Sequence, residues 1–187
     1  EYRSLDQHRI GNYTRETPTG IHFTGYTPGK VWDSYNFAGN SRAGMRQKDN
    51  FKVEYRVYRN TKRIEIHYSL VKNQHTDPEA VFVAFPYELP DGKIFYEVPG
   101  GVIEAGAGQI PGTSNDWNEV QSFVSVRSPR GQIVTSSFEI PMWEFGNINT
   151  GRFKHGALPE SNKVYSYLMN NYWTTNFNSE QYGEFCW

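Results

Sequence analysis

Hydrophobic and polar residues alternate most regularly from Phe51, where Phe51, Val53, Tyr55 and Val57 interleave with Lys52, Glu54, Arg56 and Tyr58. A period of two puts one set on each face of a pleated chain, so this segment predicts a half-buried strand. Asn60-Thr61-Lys62 supplies a turn, after which Ile64, Ile66, Tyr68 and Leu70 alternate with Arg63, Glu65, His67 and Ser69. Together the two segments predict an antiparallel hairpin. Ala80-Val81-Phe82-Val83-Ala84-Phe85 is apolar at every position and is closed by Pro86. Such a run predicts a strand covered on both faces, and hence more than one layer.

Pro90-Asp91-Gly92-Lys93 reads as a tight turn into a strand over Ile94-Phe95-Tyr96-Glu97-Val98. A long glycine- and proline-rich loop is expected from Pro99 to about Asn118. Further strands are expected at Val120 to Arg127, Gln132 to Ser137, Glu139 to Phe145 and Val164 to Met169. Residues 1 to 50 carry glycines at 11, 20, 25, 29, 39 and 44 with Pro18 and Pro28 and show little periodicity. They read as an irregular N-terminal arm with short strands, and residues 51 to 187 as one β-sandwich domain. No stretch carries a capped helical stripe. The pattern predicts an all-β, antiparallel β-sandwich, with a closed barrel as the alternative. The chain starts without Met and stops at Phe185-Cys186-Trp187, inside an expected strand, so both ends read as cut from something longer.

Composition agrees with strands and turns: 16% of the residues are aromatic, from thirteen Tyr, twelve Phe and five Trp. Nineteen Lys and Arg against twenty Asp and Glu leave a formal charge of -1, which supplies no field to gather nucleic acid or an anionic membrane. The basic run Lys52, Arg56, Arg59, Lys62 and Arg63 falls on the solvated face of the hairpin and is interrupted by Glu54 and Glu65. No window approaches the apolar length of a membrane span. Cys186 is the sole cysteine, so an internal disulfide and a thiolate metal site are both excluded.

The five histidines, His8, His22, His67, His75 and His155, show no metal-ligand spacing, and no nucleophile elbow, phosphate loop or dinucleotide fingerprint is present. No catalytic residue and no cofactor is therefore assigned within the chain. Two segments do have the chemistry a sugar needs. The first runs from Pro99-Gly100-Gly101 through Gln109-Ile110-Pro111-Gly112 to Asn115-Asp116-Trp117-Asn118-Glu119. It combines carboxylate and amide groups for hydroxyls with an indole plane for a ring face. The alternative is that Trp117 anchors the loop while Asp116 and Asn118 make turn bonds. The second, Met169-Asn170-Asn171-Tyr172-Trp173-Thr174-Thr175-Asn176, sets amides among aromatics; side-chain amides also tie irregular backbone together.

In these segments the sequence resembles glycoside hydrolase family 38, the α-mannosidases, in the part C-terminal to their catalytic domain. The resemblance runs through Pro78 to Pro86, Gln109-Ile110-Pro111-Gly112 with Asp116-Trp117, Val120-Gln121-Ser122-Phe123-Val124, and Met169 to Asn176, over roughly residues 51 to 187. It implies a sandwich of the galactose mutarotase-like supersandwich type. It also implies that zinc and the nucleophilic aspartate belong to a separate catalytic barrel of the same polypeptide, on which this domain packs. A glycan is then the expected substrate, with Gln109, Asp116, Trp117, Asn170, Asn171, Trp173 and Asn176 as candidate sugar contacts. A periplasmic or extracellular bacterial setting suits such an enzyme. Two other readings are a stand-alone carbohydrate-binding module and an independent mutarotase-like enzyme using a histidine and a carboxylate such as His67 and Glu97.

Overall fold

The computed structural model describes residues 14–75, 79–113, 117–137, 139–149, 158–170 and 181–187. Among the described residues every regular element is a strand, and all pairings between strands are antiparallel. The chain divides into two compact units, one drawn from the described residues of 80–170 and the other from those of 14–79 and 181–187.

The second unit is a five-stranded sheet of β1 (Thr19–Thr27), β2 (Trp32–Asn40), β3 (Phe51–Tyr58), β4 (Ile64–Lys72) and β13 (Gly183–Cys186), in the order β1-β2-β3-β4-β13. The expected hairpin is β3 and β4, in register from Phe51 opposite Leu70 to Val57 opposite Ile64. Residues 19 to 40, expected within an irregular arm with short strands, form two nine-residue strands that extend this hairpin. Two register shifts in β1 hide its period from a reading of the sequence. Pairing sorts the side chains by face. Phe37, Val53, Tyr55 and Tyr68 share one face, where rings meet at 5.5 Å (Phe23–Phe37) and 5.9 Å (Phe37–Tyr55). Glu54, Arg56, Glu65 and His67 occupy the other.

The first unit is the sandwich. One sheet has the order β10-β9-β6-β7, from β10 (Gly131–Ser136), β9 (Phe123–Ser128), β6 (Lys93–Val98) and β7 (Gly101–Glu104). The other has the order β5-β12-β11-β8, from β5 (Ala80–Phe85), β12 (Val164–Asn170), β11 (Met142–Phe145) and β8 (Asn118–Glu119). Ile94, Tyr96, Val124 and Val126 of the first sheet close on Trp143, Phe145 and Val164 of the second, with Ala105 and Val120 filling the core. Full burial of these side chains is the main source of the unit's stability.

Two strand expectations change here. β5 is an edge strand, half-buried at most positions with Ala84 exposed, rather than a strand covered throughout. Its uniform apolarity has a simple cause, because rings are used on both of its faces: Phe85 stacks near Trp143 at 5.9 Å and Phe82 near Tyr167 at 4.5 Å. The expected long loop after Pro99 is interrupted by β7, which returns along β6 through a two-residue Pro99-Gly100 turn with Val98 opposite Gly101. Gly100 sits at φ +86°, which a type II turn requires after proline.

Candidate functional site

The predicted loop is held from inside. After β7 the chain turns through Ala105, which is 3% exposed, and Gly106 at φ +79°. At Gly108 a Cβ would lie 2.9 Å from the Ile103 Cβ and 3.0 Å from Glu104 backbone, so the tight turn tolerates only glycine. Gln109 then points back. Its Oε1 accepts from the Gly106 N–H at 2.9 Å and its Nε2 donates to Asn118 Oδ1 at 2.8 Å. The Tyr96 hydroxyl donates to the same Asn118 oxygen at 3.3 Å, and burial raises the Tyr96 pKa. Asn118 is buried opposite Trp143, whose indole N–H is taken by the Ile140 carbonyl at 3.0 Å.

The structure therefore brings Gln109 to the base of Trp117, which is half-buried one residue before Asn118. Gln109 spends both amide groups on the fold, so what it contributes is the shape of the loop. Asp116 lies outside the described residues.

Asn170 is the last residue of β12, half-buried and opposite Ala80. Register decides its relation to the loop. Asn118 pairs with Trp143, and Trp143 with Ser166, so Trp117 enters near the beginning of β12 whereas Asn170 leaves from its end. At about 3.3 Å per residue the two are separated by roughly 16 Å along the strands. Trp117 and Asn170 thus lie towards opposite ends of one sheet. Asn171, Trp173 and Asn176 lie outside the described residues.

A constellation that the sequence reading passed over as a solvated face lies on β2, β3 and β4. Arg56 bonds Glu54 at 2.9 Å, approaches Glu65 at 3.9 Å and lies 5.5 Å over the Trp32 ring. Glu65 also accepts from the Tyr58 hydroxyl at 2.9 Å and pairs with Arg63, while His67 stands 3.8 Å from it. The Arg56 and Ser34 hydrogen bonds hold the Glu54 carboxyl below its usual range, and the Tyr58 hydroxyl and Arg63 do the same for Glu65. Both are ionised at neutral pH, so the face offers fixed charged acceptors rather than a proton donor. Arg59 likewise closes on Asp33 at 2.6 Å. The signal available in the sequence was the strict cross-strand pairing of Arg56 with Glu65 and Glu54 with His67, legible only once the hairpin register is fixed.

Of the mutarotase-like pair, His67 stands near Glu65 on β4 of one unit, and Glu97 lies on β6 of the other. Among the described residues no group of three or more His, Cys, Asp or Glu side chains is placed to hold a metal, and no helix is long and apolar enough to cross a membrane. No protein-family model matches the chain, and no curated protein or solved structure matches it significantly.

Proposed function

We infer that the chain is a non-catalytic β-sandwich domain of an α-mannosidase-like glycoside hydrolase. In this reading it has the galactose mutarotase-like architecture, packs on a zinc-dependent catalytic barrel of the same polypeptide and lends loops to the glycan cleft. The observation that carries the reading is the Gln109 clip. The segment that resembles the family's, Gln109 to Trp117, begins as a loop whose base is locked by Gly106, Asn118 and Tyr96. A loop fixed in advance can meet a partner surface or a sugar without the entropic cost of ordering on contact.

Hydrolysis of 4-nitrophenyl α-mannoside by the complete polypeptide tests this. Activity is expected to vanish on zinc chelation, and Asp116→Ala and Asn171→Ala are expected to lower kcat/KM about tenfold or more. A complete protein with no α-mannosidase activity refutes the reading, and unchanged kinetics in both variants removes these residues from the cleft.

A second reading, a stand-alone carbohydrate-binding module, is favoured by the exposed rings of Phe23, Tyr26 and Tyr35, which are 55%, 48% and 37% accessible. It requires the isolated chain to bind mannan, and requires Tyr26→Ala to weaken that binding.

A further inference from the structure

On the outer face of the β10-β9-β6-β7 sheet, Gln132, Arg127 and Lys93 stand side by side at one register level. Ser125, Phe95 and Glu104 lie together at the next level on the same face. The intervening residues Ile94, Val124 and Val126 point into the core, so this set lies on the opposite face, where Lys93, Arg127 and Gln132 are exposed and Ser125 is covered.

Arg127 is fixed in two ways. Its guanidinium carbon lies 4.7 Å from the centre of the Phe95 ring, and its Nε donates to Ser125 Oγ at 3.2 Å. Ser125 is 0% exposed and also receives the Gln132 amide at 2.8 Å. The two terminal guanidinium nitrogens of Arg127 meet no acceptor among the described residues. Other arginines of the chain are spent differently: Arg42, Arg56, Arg59 and Arg63 each close on a carboxylate, of Glu16, Glu54, Asp33 and Glu65. Glu104, an acid on this face, pairs with Lys93 at 3.0 Å instead. Here, then, the cation is ordered while the fork that matches a carboxylate or phosphate is left open.

Gln132 adds selectivity. With its NH2 directed to Ser125, its carbonyl oxygen is left to accept from a hydroxyl beside the bound anion. We propose that Arg127, flanked by Lys93 and Gln132, binds the carboxylate or phosphate monoester group of an acidic sugar. The site does not depend on the α-mannosidase reading, since it uses neither the Gln109 loop nor a second domain.

Because the chain's net charge is -1, no long-range attraction assists binding, and an affinity on the order of 1 mM that weakens with salt is expected. Titration of the chain with glucuronate, mannose 6-phosphate, inorganic phosphate and uncharged methyl mannoside, followed by NMR at the Gln132 side-chain amide, which wild type and both variants retain, tests it. A saturable shift with glucuronate or mannose 6-phosphate, and none with methyl mannoside, is the expected result; whichever acid binds tighter identifies the anion. Arg127→Lys keeps the charge but loses the fork, and is expected to weaken binding about tenfold. Phe95→Leu keeps the arginine and loses its support, for a loss of about threefold. Thermal unfolding of each variant verifies that it is folded. No saturation by either sugar acid at about 50 mM, saturation by inorganic phosphate alone, or equal affinity in wild type and Arg127→Lys overturns the proposal.

Discussion

Replacing Gln109 by alanine separates a loop built by its own hydrogen bonds from one whose side chains await a ligand. The substitution removes two bonds, from the Gly106 N–H and to Asn118 Oδ1. At about 0.5–1.5 kcal/mol each, their loss amounts to about 1–3 kcal/mol. The lower half of that range is expected. Asn118, though only 7% exposed, keeps the Tyr96 hydroxyl at 3.3 Å, and the Gly106 amide is half-buried and can recruit water. About 1.5 kcal/mol corresponds to a fall in Tm of roughly 3–6 °C for a chain of this size. Circular dichroism melting provides the measurement, and amide exchange localises it, because the Gly106 N–H loses protection in the variant. Ile110→Ala, at a residue 77% exposed, is the control and is expected within about 0.5 kcal/mol of wild type. In a double-mutant cycle with Asn118→Ala, the coupling is expected to exceed about 0.5 kcal/mol. A Gln109→Ala melt within about 1 °C of wild type and a coupling near zero would refute the clip.

Trp143→Ala empties the centre of the sandwich, where Trp143 is 1% exposed and stacks on Phe85, and should cost about 3–5 kcal/mol in urea unfolding; a smaller loss would mean the site collapses around the cavity. Glu54 and Glu65 titrate below the ordinary glutamate value of 4.5 in the folded chain, so their contribution is present above that value and is lost as pH falls through the lowered folded pKa. Acid melting of Glu54→Gln should therefore show a shallower loss of stability below about pH 4.5 than wild type, and parallel acid limbs would show that the Arg56 pair contributes nothing.

The reading of the sequence came closest where a face is decided by neighbours along the chain. The β3 and β4 alternation, the β6 run and the later strands near 123–128, 131–136, 142–145 and 164–170 all follow from the period of the pleat. It failed at β1, where two register shifts break the period, and at β7, which is only four residues long and lies in a glycine- and proline-rich stretch. For the candidate site, Gln109 and Trp117 stood out by residue type. Their chemistry suggested an outward, sugar-facing role, while the direction of the Gln109 amide depends on Asn118 and Tyr96 across the core.

The amino-acid sequence by itself determined that the chain forms strands, which positions of the hairpin face opposite ways, and that its charges nearly cancel. Tertiary structure alone decided that β12 lies between β5 and β11, that β13 closes on β4, and that Asn170 sits at the opposite end of the sheet from Trp117. It likewise decided that Arg127 rests on Phe95 and Ser125 beside Gln132. The physical reason is one of range. Pleat periodicity is set within a few residues, whereas a strand's neighbours and register are set by which buried faces fit together, through contacts between segments far apart in the chain.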